Sequence, residues 1–86
     1  MPDDHSITSL RDRIDEIDAT LIAMWQERAG ISRQIGALRL TSGGTRLALS
    51  RELEVMRRFR EGIGPDGNDL ALLVLRAGRG PLLPPT

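Results

Sequence analysis

The chain has 86 residues, twelve basic and twelve acidic, so its formal net charge is zero and no overall field draws it to nucleic acid or a membrane. It has no cysteine, which excludes disulfides and thiolate metal sites and suits a reducing cytoplasm. A single domain this small buries a limited core on its own, which opens the way to oligomerisation.

In chain order, the first ten residues, MPDDHSITSL, are acidic and polar, without the basic and apolar regions of a signal peptide. His5 has no neighbouring ligands and reads as solvated rather than metal-binding. From Leu10 the apolar residues fall at Leu10, Ile14, Ile17, Leu21, Met24, Ile31, Ile35 and Leu38, a continuous helical seam in steps of four and three with one slot between Met24 and Ile31. Ser6, Thr8 or Ser9 can cap its start, with Asp12 and Asp15 near the positive end of the dipole. Gly30 and Gly36 are single glycines that a helix tolerates, and nothing breaks the run before TSGG at 41–44. The pattern predicts a helix over about residues 9–40. Roughly 45 Å of helix is longer than a lone globule of this size is wide. The expectation is therefore an antiparallel packing against its own copy in an intertwined homodimer, with Trp25 in the core or at that interface.

A second helix is expected to start close to Ser50, with Leu49, Leu53, Met56 and Phe59 on one face and Arg57, Arg58, Arg60 and Glu61 outside. GIGPDGND at 62–69 is dense in turn formers and reads as a loop, ending in a cap at Asp66, Asn68 or Asp69. A short apolar helix, LALLVLRA, follows; its LALLVL run is far too short to cross a bilayer. Two glycines and three prolines predict an extended or mobile tail over 78–86. The expected fold class is all-α, three helices in one domain spanning 1–86.

All twelve basic residues are arginine. GC-rich coding DNA would produce that bias without any chemistry. Arginine is also the side chain that grips a carboxylate with two parallel hydrogen bonds and stays charged when buried. Arg28 fills the seam slot where the pattern wants an apolar residue, so an acid from a partner chain or a ligand has to meet it. Arg39 lies three turns on, about 16 Å away on nearly the same side, leaving a gap suited to a small dianion. The competing reading is a pair of snorkelling arginines with exposed heads. Arg11 lies about 25 Å from Arg28 along the helix and approaches that site only across an antiparallel pair. In TSGGTRLALSRELEV, residues 41–55, a glycine-hinged turn delivers Arg46, Arg51 and Glu52. Each alone reads as a solvated residue of a first helical turn, and their convergence with Arg28 and Arg39 is what suggests an anion site.

LRDRIDEIDATLIAMWQERAGISRQIGALR followed by SRE resembles the all-helical chorismate mutases over about residues 10–60. The SGGTR turn and the IGPDG segment at 63–67 resemble the short, cytoplasmic branch that is partnered with DAHP synthase, the first enzyme of the shikimate pathway. The resemblance implies rearrangement of chorismate to prephenate, for phenylalanine and tyrosine biosynthesis, without a cofactor. It implies that Arg11 comes from the opposite subunit to hold a carboxylate, and that Arg28 binds a carboxylate within its own chain. Arg39 would contact the ether oxygen and a carboxylate, and Arg51 would add positive charge. Glu52 would accept a hydrogen bond from the ring hydroxyl. Ala48 stands where better-known members often carry an acid, so only its backbone is a candidate contact.

The chemistry suits these residue types. A unimolecular Claisen-type rearrangement needs a flexible substrate held compact with both carboxylates pinned. It also needs a fixed cation where the breaking C–O bond places negative charge. The third helix lacks the serine and glutamine that the family commonly brings to the ether-oxygen side. That implies a site completed by DAHP synthase acting as an activating partner on the tail. Two other readings are an isochorismate-pyruvate lyase on the same scaffold and a non-catalytic helical dimer serving as an interaction module. Neutral charge and scarce aromatics argue against nucleic-acid binding.

Overall fold

The computed structural model describes residues 6–43 and 48–79. They form three helices, α1 (Ile7–Thr41), α2 (Leu49–Ile63) and α3 (Gly67–Arg79), and no strand is present among them. The all-α expectation holds. α1 begins where the sequence placed one of its three candidate caps: the Ser6 side chain accepts the Ser9 backbone N–H at 3.1 Å, satisfying a donor of the first turn. At its other end Gly43 adopts a positive φ of 85°, a backbone shape that disfavours side chains, and its N–H closes back on the Leu40 carbonyl. Arg46 and His5 lie outside the described residues.

α2 starts at Leu49, next to the expected Ser50, with Ala48 before it and no side chain capping it. Two other boundaries differ from the sequence reading. Five of the eight residues of the turn-former cluster at 62–69 are helical, and the turn is confined to 64–66, between α2 and α3. Gly64, at φ 104°, makes that tight reversal possible, its N–H bonding the Arg60 carbonyl and its carbonyl accepting the Gly67 N–H. α3 then continues through Gly78 to Arg79, so two residues assigned to the tail are helical; residues 80–86 lie outside the described residues.

α3 packs on both other helices, whereas the backbones of α1 and α2 nowhere approach within 8 Å between Cα atoms among the described residues. Two glycines set these approaches. A Cβ on Gly67 would lie 2.2 Å from the Phe59 carbonyl oxygen, and one on Gly78 would lie 2.3 Å from the Ser32 hydroxyl. Gly67 therefore brings the start of α3 onto α2, and Gly78 brings its end onto α1. The Arg33 guanidinium reaches the Ala77 carbonyl at 3.5 Å across the same α1–α3 contact. The buried face of α3 runs Gly67, Ala71, Val74, Leu75 and Gly78, a helical stripe that meets Ala29 of α1 and Val55 of α2 in the core.

Apart from Leu75 these core side chains are small, and most of the large apolar ones are exposed. The seam residues Leu10, Ile14, Ile17, Leu21 and Met24 are 42–62% exposed, and Trp25 is 40% exposed. In the single chain Trp25 is thus not a core residue. A row of apolar side chains along α1 with no cover from α2 or α3 is far more apolar surface than a helix of a lone soluble chain ordinarily shows to water. The molecule measures 63 × 25 × 24 Å, and the long dimension belongs to α1, whose 35 residues extend about 52 Å.

Candidate active site

Because α3 holds α1 and α2 apart, a cavity of about 580 Å³ opens between the C-terminal half of α1, the first turns of α2 and the last turn of α3. On the α1 wall, Arg28, Ser32, Gly36 and Arg39 follow at steps of four, four and three, so they share one face. Two small residues thus make a floor with an arginine at each end. A Cβ on Gly36 would meet nothing within 4 Å, which is the open space of the cavity itself. Ala48, Arg51, Glu52 and Val55 line the α2 side, and Gly78 and Arg79 line the α3 side.

Arg28, Arg39, Arg51, Glu52 and Ala48, the intrachain residues that the sequence pointed to, all come together here. Arg11 does not. It is exposed on the N-terminal half of α1, about 25 Å along the helix axis from Arg28. Arg33 and Arg79 line the same cavity and were not foreseen.

Among the described residues the walls therefore carry five arginines against one carboxylate, Glu52. Two of the five guanidiniums are already engaged with acids. Arg51 donates to Glu54 at 3.2 Å on its own helix, where Glu54 also receives Arg58. Arg79 donates through NH1 to Glu52 Oε2 at 2.5 Å, joining the end of α3 to the start of α2. The guanidiniums of Arg28 and Arg39 have no hydrogen-bonding or ionic partner among the described residues. Arg28 is half-buried, and its basicity is pushed below the ordinary arginine value, first by burial and then by the neighbouring charge of Arg51. A desolvated cation beside a second cation is destabilised, and an anion placed at this end of the cavity would relieve that cost. Two open guanidiniums three turns apart can hold a ligand carrying two acidic groups.

Sequence periodicity finds Arg28 because it interrupts an apolar seam. It gave no reason to select Arg79, which lies in a segment whose glycines read as helix breakers. The available signal was the spacing of Ala71, Val74, Leu75 and Gly78, a buried stripe in which Gly78 is a contact position rather than an end.

Comparisons with known proteins agree with this geometry. Residues 10–75 match the family model described as chorismate mutase type II. The chain is 54% identical over 76 residues to the intracellular chorismate mutase of Mycolicibacterium smegmatis, covering 88% of this chain and 73% of that one. It is 53% identical to the intracellular chorismate mutase of Mycobacterium tuberculosis, covering 88% of this chain and 71% of that one. Among solved structures, it superposes with a TM-score of 0.87 and 42% identity on a chain of the non-covalent complex of DAHP synthase and chorismate mutase from Corynebacterium glutamicum, with a bound transition-state analogue. That match covers 90% of this chain and 93% of the other. A helical cavity walled by arginine, a family match over most of the chain and relatives above half identity lead to one conclusion: the chain belongs to the type II, all-helical chorismate mutase family.

Proposed function

We propose that this chorismate mutase converts chorismate to prephenate in the cavity between α1 and α2, and that the open guanidiniums of Arg28 and Arg39 bind the substrate's acidic groups. These two unpaired cations facing one cavity are the observation that carries the reading. Arg28 takes a carboxylate, which removes its desolvation penalty. Arg39 sits where it can meet both a carboxylate and the ether oxygen, whose negative charge grows as the C–O bond breaks. A cation fixed there favours the transition state over the ground state. Arg51 adds to the positive field, the Ala48 backbone offers a polar contact, and the Glu52 carboxylate accepts the ring hydroxyl. The protein's own work is confinement and electrostatics: it holds a flexible dianion in its reactive shape and needs no covalent step.

Arg11 enters this scheme from a second copy. The uncovered apolar residues of the N-terminal half of α1 fit an antiparallel copy of the same helix, and such a pairing carries Arg11 of one chain toward Arg28 of the other. DAHP synthase is the proposed activating partner, supported by the likeness to a chorismate mutase solved in complex with that enzyme. A cytoplasmic setting accords with relatives called intracellular, and among the described residues no helix is long and apolar enough to cross a membrane. An isochorismate-pyruvate lyase activity is not favoured by any of these likenesses.

The test is loss of chorismate absorbance with purified protein, alone and with saturating DAHP synthase, with Arg28→Ala as the control. Turnover that rises with the synthase and collapses in the variant is the expected result. Absence of turnover in both conditions refutes the assignment, and an unchanged rate on adding the synthase refutes the partner.

A further inference from the structure

The Glu52–Arg79 contact differs from every other ion pair among the described residues. The remaining four join residues three or four apart on one helix, with side chains 38–68% exposed. Glu52 and Arg79 are 27 residues apart on different helices, and their side chains are 17% and 15% exposed. Arg79 takes only Oε2, so Oε1 of Glu52 keeps no partner among the described residues. The Arg79 Nε is itself buried without a hydrogen-bond partner among them. A guanidinium placed only to tie two helices together would satisfy its own donors, and this one does not.

The charge balance of the cavity gives the pair its meaning. Among the described residues, Glu52 is the one carboxylate on a wall that also carries Arg28, Arg39 and Arg51. A glutamate free to rotate there would turn toward one of those cations and neutralise the charge that the substrate requires. Arg79 comes from the opposite side, on the last residue of α3, which the close approach of Gly78 to Ser32 holds against α1.

We propose that Arg79 is a positioning residue: it holds the Glu52 carboxylate away from the substrate-binding arginines by one oxygen and leaves the other oxygen free to accept from the ligand. This rests on the chorismate mutase reading of the same cavity. Its consequence is that Arg79 acts through Glu52, so its value to the enzyme disappears when Glu52 no longer carries charge.

A double-mutant cycle on the full chain tests this, with KM and kcat on chorismate measured separately for Arg79→Met, Glu52→Gln and the double variant. Arg79→Met is expected to lower kcat/KM by about tenfold or more, the scale of a hydrogen bond to a charged group, with a rise in KM as Glu52 captures a binding arginine. In the Glu52→Gln background the same change is expected to cost less than about threefold, and Arg79→Lys, which keeps the charge, is expected to recover most of the loss. A full loss in the Glu52→Gln background overturns the proposal, as does an unaffected Arg79→Met. If Arg79→Met loses its helical circular dichroism signal, Arg79→Gln replaces it in the cycle. Loss of structure in both makes the pair structural and also overturns the proposal. Wild-type protein that fails to consume chorismate both alone and with saturating DAHP synthase defeats the underlying functional reading. Wild-type turnover with uncoupled variants defeats this inference alone.

Discussion

Gly78→Ala tests how closely the site depends on the approach of α3 to α1. The new Cβ would lie 2.3 Å from the Ser32 hydroxyl oxygen and 2.4 Å from the Ser32 Cβ, where ordinary contact begins at 3.4 Å. Rotating the hydroxyl away leaves the second clash in place, so the two helices must separate by about 1 Å. Against this, alanine is a better helix former than glycine by up to about 1 kcal/mol in a helix interior, and by less in the last turn where residue 78 sits. Overpacking typically costs about 1–3 kcal/mol, so the clash wins and the net loss is about 1–2 kcal/mol. For a chain of this size that corresponds to a fall in Tm of about 4–15 °C, read by circular dichroism at fixed protein concentration. The same displacement moves the end of α3, and Arg79 with it, relative to the α1 wall of the cavity, so kcat/KM on chorismate is expected to fall as well. The reciprocal exchange, Gly78→Ala with Ser32→Gly, removes both clashing atoms and is expected to restore much of the lost activity. Gly62→Ala, where an added Cβ meets nothing within 4 Å, is the control and is expected to be neutral or mildly stabilising. A Gly78→Ala protein with unchanged or higher Tm and full activity would refute the argument, since helix propensity would then have outweighed the contact.

Arg28→Ala is expected to lower kcat/KM about 100-fold or more while Tm stays level or rises, because it removes a half-buried cation pressed by Arg51; a Tm several degrees lower would mean that the arginine serves the fold. Ile17→Glu, in the uncovered stripe of α1, is expected to give monomers in sedimentation equilibrium and to abolish turnover. Persistence of a dimer after that change would move the interface elsewhere. Val55→Ala removes two methyl groups from a side chain only 3% exposed and is expected to cost about 1–3 kcal/mol by denaturant titration, whereas Leu53→Ala, 57% exposed in the single chain, is expected to cost less unless a second copy covers it.

The long helix was legible because its evidence is local and repeated. Eight apolar residues keep one period from Leu10 to Leu38, and a serine stands ready to cap the start. Arg28 and Arg39 were legible for the same reason, since three turns of helix bring them to one face whatever the rest of the chain does. Glycine was misread where its role is tertiary. At 62–69 and at 78, a local reading expects turns, yet among the described glycines only Gly43 and Gly64 have positive φ. Gly67 and Gly78 sit inside α3 because two other helices come too near for a side chain, and no window of sequence contains that fact. The Glu52–Arg79 pair was hidden likewise, because its members belong to different helices and a segment assigned to the tail held one of them. The seam on α1 was legible as apolar and, from the length of the helix in so short a chain, as more than its two neighbours can cover.

The two halves of α1 have separate duties: one walls a cavity within its own chain, while the other carries Arg11 and a row of apolar side chains that α2 and α3 leave uncovered. If the second copy receives that arginine, a lesion in one half and a lesion in the other damage different cavities of a mixed pair. Chains carrying Arg11→Ala and chains carrying Arg28→Ala, each inert alone, would then rescue one another on co-refolding. Half of the dimers in an equal mixture would be mixed, each with one intact and one doubly damaged cavity, so activity would return to about a quarter of the wild-type level. A long helix shared in this way makes the working unit a pair, in which a defect can be compensated by a neighbour that is itself defective.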